Sequence, residues 1–125
     1  MKDLKIIVLN IGSALISSDK NQSNKLIESL TNQINFFIKK NIKFVIVTSG
    51  AISQGQKILH ITQKPVDLES LQALAAIGQQ QLMSMYEKAV QRHGLLTAQV
   101  LLTHEDMKYV QRDTNANATI KQIMS

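Results

Sequence analysis

No cysteine occurs among the 125 residues. Disulfides, thiolate metal sites and a cysteine nucleophile are therefore excluded, and a reducing compartment is compatible with the composition. Aromatic residues make up only 4% and tryptophan is absent. The charge balance is basic, 14 Lys and Arg against 9 Asp and Glu for a net +5, which favours anions as partners. These cations are scattered, with no stripe interleaved with stacking aromatics, so a nucleic-acid partner is not expected. Long apolar runs are also missing. The nearest, Ile6 to Ile16, follows Lys2 and Lys5 but is interrupted by Asn10, Gly12 and Ser13 and leads into no A-x-A cleavage pattern. It is too short to span a membrane and is not organised as a signal peptide, so no membrane partner is expected.

What is present is an ordinary globular composition, 44% apolar and 18% charged, in a length that suggests one domain or part of one. Residues 5–10 (KIIVLN) and 43–48 (KFVIVT) are continuous apolar, β-branched runs of the kind buried on both faces of a parallel sheet. Residues 95–102 (LLTAQVLL) read as a third strand. Residues 17–24 are polar and read as a loop. From Asn24 the period changes: Leu26, Leu30, Ile34 and Phe37 share one helical face, with Ile27 and Ile38 beside them, and Lys39-Lys40-Asn41 supplies cations and a C-cap at its end. A short helix is expected over 51–59, followed by a loop at Lys64-Pro65.

A long helix is predicted from Asp67, an N-cap with Glu69 in its first turn. Leu68, Leu71, Ala75, Gly78, Leu82, Met85 and Ala89 lie along one face of it, and His93-Gly94 stops it. Thr103 opens a loop or short helix, and 113–125 begins another helix. The order β-α-β-α-α-β-α implies βαβ units and a parallel sheet. The last helix is followed by no strand before Ser125, so one sheet edge is expected to be unprotected.

Two strand-to-helix turns share one character: Asn10-Ile11-Gly12-Ser13 and Thr48-Ser49-Gly50-Ala51. Ligands of open α/β sheets bind at the carboxyl ends of strands. Glycine lets a ligand approach the backbone, and helix N-termini present N–H groups to anions. Small residues also serve as tight joints in any α/β protein, and neither turn matches the dinucleotide or P-loop pattern; the residues alone leave both readings open. His60, His93 and His104 have no metal-ligand spacing. Glu105-Asp106 suits a helix start better than a cation site, and Met83, Met85 and Tyr86 fit helix packing. Nothing orders a Ser-His-Asp triad.

Taken together, these blocks resemble the glutamate 5-kinase family. The carriers are V-T-S-G-A-I at 47–52, Q-A-L-A-A-I-G-Q at 72–79 with Leu82, Met83, Tyr86 and Glu87, then A-Q-V-L-L-T at 98–103 with Asp106 and Met107, and finally Asn115-Ala116 with Thr119. They stand in family order and spacing along the whole chain. The resemblance implies the amino-acid kinase fold, a three-layer α/β/α sandwich with a mainly parallel sheet, of which this chain is the incomplete N-terminal part. It implies a cytoplasmic enzyme that uses ATP and Mg²⁺ to phosphorylate the side-chain carboxylate of L-glutamate, the first step of proline biosynthesis.

By the same resemblance, Ser49, Gly50 and Ala51 are substrate-binding, and Gly12 and Ser13 approach the phosphates. Residues 1–125 are then the glutamate-binding half of the kinase domain, with the ATP-binding half absent. Asn10 stands at the position of the family's catalytic lysine, Ala14 replaces a usual Ser or Val, and Asn117-Ala118 replace the family's Arg and Asp/Asn. Asn brings no charge, and one such lost contact costs on the order of 10²–10³ in rate. Two expectations follow: one chain of a split enzyme, completed by a C-terminal-half chain, or a pseudokinase that binds a partner kinase or glutamate; a homo-oligomer is the other association expected.

Overall fold

A computed structural model describes residues 5–17 and 20–125. The elements are β1 (Lys5–Ile11), α1 (Ser13–Ser17), α2 (Lys20–Ile38), β2 (Ile42–Thr48), α3 (Ala51–Ile58), α4 (Leu68–Gln91), α5 (His104–Lys108) and α6 (Val110–Met124). β1 and β2 pair in parallel, from Lys5 opposite Ile42 to Ile11 opposite Thr48, with α1 and α2 forming the crossover between them. The chain has an incomplete α/β fold with a parallel sheet, as the alternation of strand and helix periods implies.

The core lies between one sheet face and the helices. Ile11 and Ile16, Ile27 of α2, and Leu82, Met85, Tyr86 and Ala89 of α4 form one cluster, with Leu30, Ile46 and Ala51 packed against it. Side chains alternate along a strand, so Ile6, Val8 and Asn10 fall on the opposite face. There Ile6, Val8 and Val47 are 45%, 62% and 50% exposed. The expectation of strands buried on both faces is therefore corrected: among the described residues the helices cover one face only.

Two other readings change. Residues 95–102 form no strand, and Leu96 is 95% exposed. A strand is made by pairing, and among the described residues the sheet has only β1 and β2. The helix expected from Asn24 starts at Lys20, inside the polar run. Its most buried line is Ser23, Ile27, Thr31 and Ile34, while Leu26 and Leu30 lie half-buried beside it and Phe37 is exposed. The two hydroxyl residues tolerate burial because each donates to a carbonyl, Ser23 Oγ to Ile16 O and Thr31 Oγ1 to Glu28 O, both at 3.0 Å. A polar-looking segment thus supplies a helix face. Of that run, residues 18 and 19 lie outside the described residues.

The predicted caps hold. Asp67 accepts from the Ser70 N–H at 2.8 Å, and Asn41 (φ 63°) and Gly94 (φ 67°) take the left-handed conformation that closes a helix. Glu105-Asp106 sits at the start of α5, where Asp106 and Thr103 form a reciprocal capping box. Helices α3 and α4 pack backbone to backbone. A methyl group on Gly55 would strike the Leu74 carbonyl, and one on Gly78 the Ala51 carbonyl and the Gly55 nitrogen. Glycine at these positions is what lets α3, and the turn before it, sit directly on α4.

Candidate functional site

Parallel pairing brings the carboxyl ends of β1 and β2 side by side, and with them the two turns. The ladder runs one step past the strands: the Ser49 N–H donates to Ile11 O at 3.3 Å. Asn10, Gly12, Ser13, Ser49, Gly50 and Ala51 therefore gather at one end of the sheet. Asn10 is exposed on the uncovered face, opposite Val47. Lys5 stands at the other end of the same strand, too far along it to replace a charge at Asn10; Lys2 lies outside the described residues.

The first turn is open. Gly12 and Ser13 are exposed, and nothing lies within 4 Å of where a Cβ on Gly12 would stand. The second turn is supported from below. Gly50 caps α3 at φ 116°, with no side-chain hydrogen bond at the cap. That φ favours glycine, and a Cβ would also lie 2.9 Å from Ile16 Cγ2. Ser49 is exposed, leaving its hydroxyl accessible to a ligand. Under it, the Thr48 hydroxyl and Tyr86 OH share a hydrogen bond at 3.0 Å. Burial pushes the Tyr86 phenol above its ordinary value of 10.0, and the Thr48 bond partly offsets this.

One connection escapes the sequence. The Ile16 carbonyl accepts from both Ser23 Oγ and Gln54 Nε2, each at 3.0 Å. Ile16 and Ser23 are fully buried and Gln54 nearly so. The available signal was Gln54 itself, a polar residue on the face of α3 shared by Ala51 and Ile58.

Two surface cavities, of about 510 and 320 Å³, lie elsewhere. The first is lined by Ser53, Gln56, Lys57, His60, Ile61 and Thr62. The second lies between the 100–102 segment and α6, beside the Arg112–Asp106 ion pair. No turn residue lines either. Among the described residues no three His, Asp or Glu side chains gather as a metal cluster, and no helix is long and apolar enough to cross a membrane.

Residues 5–125 match the amino acid kinase family. The chain belongs to that family. Among curated relatives of the chain, a glutamate 5-kinase of Prochlorococcus marinus (strain MIT 9313) is 41% identical over 122 residues, covering 97% of this chain and 34% of the relative. A glutamate 5-kinase of Pelagibacter ubique is 38% identical over 124 residues, 98% of the chain and 34% of the relative. One from Methylobacillus flagellatus is 37% identical over 121 residues, 96% of the chain and 32% of the relative. The chain thus spans about a third of the length of the curated relatives it matches.

Proposed function

We propose that this chain is the acceptor-binding part of a glutamate 5-kinase, cytoplasmic and acting in proline biosynthesis, in which the γ-phosphoryl group of ATP passes to the side-chain carboxylate of L-glutamate. The observation that carries the reading is the pair of small-residue turns at adjacent carboxyl ends of parallel strands, in a chain whose relatives bear that name. Phosphoryl transfer needs two anions aligned and their charge offset. In this reading the Ser49 hydroxyl and the backbone of Gly50 and Ala51 hold L-glutamate. Gly12 and Ser13, with open space above the backbone, receive the phosphate end of ATP.

That opening fits a phosphate group but gives no enclosure for adenine; the nucleoside is held by parts of the enzyme beyond this half-domain. Mg²⁺ would neutralise phosphate charge, and it commonly takes only one or two protein carboxylates. Asn10, at the position of the catalytic lysine, offers a hydrogen bond without charge and leaves the chain impaired. A second reading draws on Asn10 and the uncovered apolar strand face together: a pseudokinase that binds L-glutamate or docks on an intact kinase chain.

The test is a titration of the ¹⁵N-labelled chain with L-glutamate and, separately, with D-glutamate. Amide shifts centred on Ser49, Gly50 and Ala51 for the L-isomer are expected, and Ser49→Ala should abolish them. No L-specific response at these amides would rule the acceptor-turn assignment out.

A further inference from the structure

The two turns are joined by a buried clamp built on Ile16. Its carbonyl takes one hydrogen bond from α2 through Ser23 and one from α3 through Gln54, both at 3.0 Å. Its side chain, with no exposed surface, presses against the Cα of Gly50, where a Cβ would stand 2.9 Å from Cγ2 and 3.1 Å from Cβ of Ile16. Ile16 belongs to α1, the short helix that Gly12-Ser13 opens. The Leu15 N–H donates back to Gly12 O at 3.2 Å. Gln54 sits one turn into α3, and its own N–H donates to Gly50 O at 3.0 Å. One residue, Gln54, is thus bonded through its backbone to the Ser49–Ala51 turn and through its side chain to the helix that follows the Gly12–Ser13 turn.

We infer that Gln54 is a positioning residue that fixes the spacing of the two turns by holding Ile16 beneath Gly50. The functional meaning of that spacing rests on the proposed glutamate 5-kinase reading. If one turn holds the donor phosphate and the other the acceptor carboxylate, their separation decides whether the groups meet, and errors near 1 Å cost about 10²-fold in rate. A buried carboxamide suits this task. It is neutral, so its burial costs less than that of a charge, and its N–H donates to the buried Ile16 carbonyl.

The clamp is tested on the whole chain by NMR, in three readouts. In the parent, a scalar coupling across the hydrogen bond should connect Gln54 Nε2 with the Ile16 carbonyl carbon; this needs no variant, so a failure to fold cannot obscure it. In Gln54→Leu and Gln54→Met the Ile16 carbonyl carbon should shift upfield, and the Leu15 amide should exchange about tenfold faster or more, the weight of one buried hydrogen bond. Amides of β1 and β2 should keep their parent protection, which separates loss of the clamp from general loosening. Finally, L-glutamate should shift Ser49–Ala51 and, through the clamp, Gly12–Leu15 in the parent, but Ser49–Ala51 alone in the variants.

Absence of the coupling, or parent-like Leu15 exchange and an unmoved Ile16 carbonyl in both variants, overturns the inference. So does an L-glutamate response at Gly12–Leu15 that survives in the variants. A parent with the coupling and no L-glutamate response at all upholds the clamp and refutes the glutamate reading instead.

Discussion

Gly78→Ala gives opposite answers with and without the close approach of α3 to α4. Taken as a helix position alone, alanine in place of glycine stabilises by about 1 kcal/mol. The structure argues the reverse, because the added methyl would strike the Ala51 carbonyl and the Gly55 nitrogen. These are backbone atoms of α3, so relief requires α3 to move bodily away. Overpacking of a tight interior costs about 1–3 kcal/mol, and a collision with backbone belongs at the upper end. Subtracting the propensity gain leaves a net loss of about 2 kcal/mol. At about 4 °C per kcal/mol for a domain of this size, the melting temperature should fall by about 8 °C.

Thermal unfolding followed by far-UV circular dichroism measures it. Ala73→Gly, on the exposed side of the same helix, is the propensity control and should cost about 1 kcal/mol. A Gly78→Ala chain that melts at or above the parent would refute the tight packing of α3 on α4, and with it the support proposed for the Ser49 turn.

Three further outcomes follow from the same structure. Tyr86→Phe removes the hydroxyl bonded to Thr48 while keeping the ring, and should cost about 1 kcal/mol in denaturant unfolding and move the Thr48 and Ser49 amide signals; unmoved signals would dissociate Tyr86 from the turn. Ile27→Ala should cost about 2–5 kcal/mol, whereas Val8→Lys, on the uncovered strand face, should change stability by about 0.5 kcal/mol or less; equal losses would mean that both faces are covered. Hydrogen bonds from Ser70 and from Thr103 hold the carboxyls of Asp67 and Asp106 below the ordinary 3.8. Because the folded value is the lower one, this stabilisation is complete above pH 3.8 and is lost as pH falls through the lowered value. NMR titration of both carboxyls should give midpoints under 3.8; midpoints at or above it would contradict the caps.

Local chemistry was legible in the sequence wherever one residue decides the structure. Asp67, Asn41, Gly94 and Thr103 announce helix ends because capping and left-handed φ depend on the side chain present. The two turns were legible because small residues interrupt apolar runs. Less was legible where neighbours decide. Residues 95–102 have every strand property except a partner, and pairing is not written in the segment. The buried use of Ser23 and Thr31 was invisible because their polarity reads as solvent exposure until the accepting carbonyls are placed. Gln54 was hidden for the same reason, its acceptor lying 38 positions away. Gly78 reads as one step of an apolar stripe; only the position of α3 shows that glycine is required there.

In the proposed reading this chain carries the acceptor turn of a kinase domain, and Asn10 withholds a charge from transfer. That reading is tested most directly by exchanging the chain for the matching segment of the Prochlorococcus marinus glutamate 5-kinase and measuring L-glutamate-dependent ADP formation, with Asn10 and with Asn10→Lys. Activity is expected with lysine, and a rate lower by about 10²–10³ with asparagine, at a similar KM for L-glutamate. Equal rates for the two would contradict the role given to position 10, and inactivity of both in a folded chimera would contradict the acceptor turn itself.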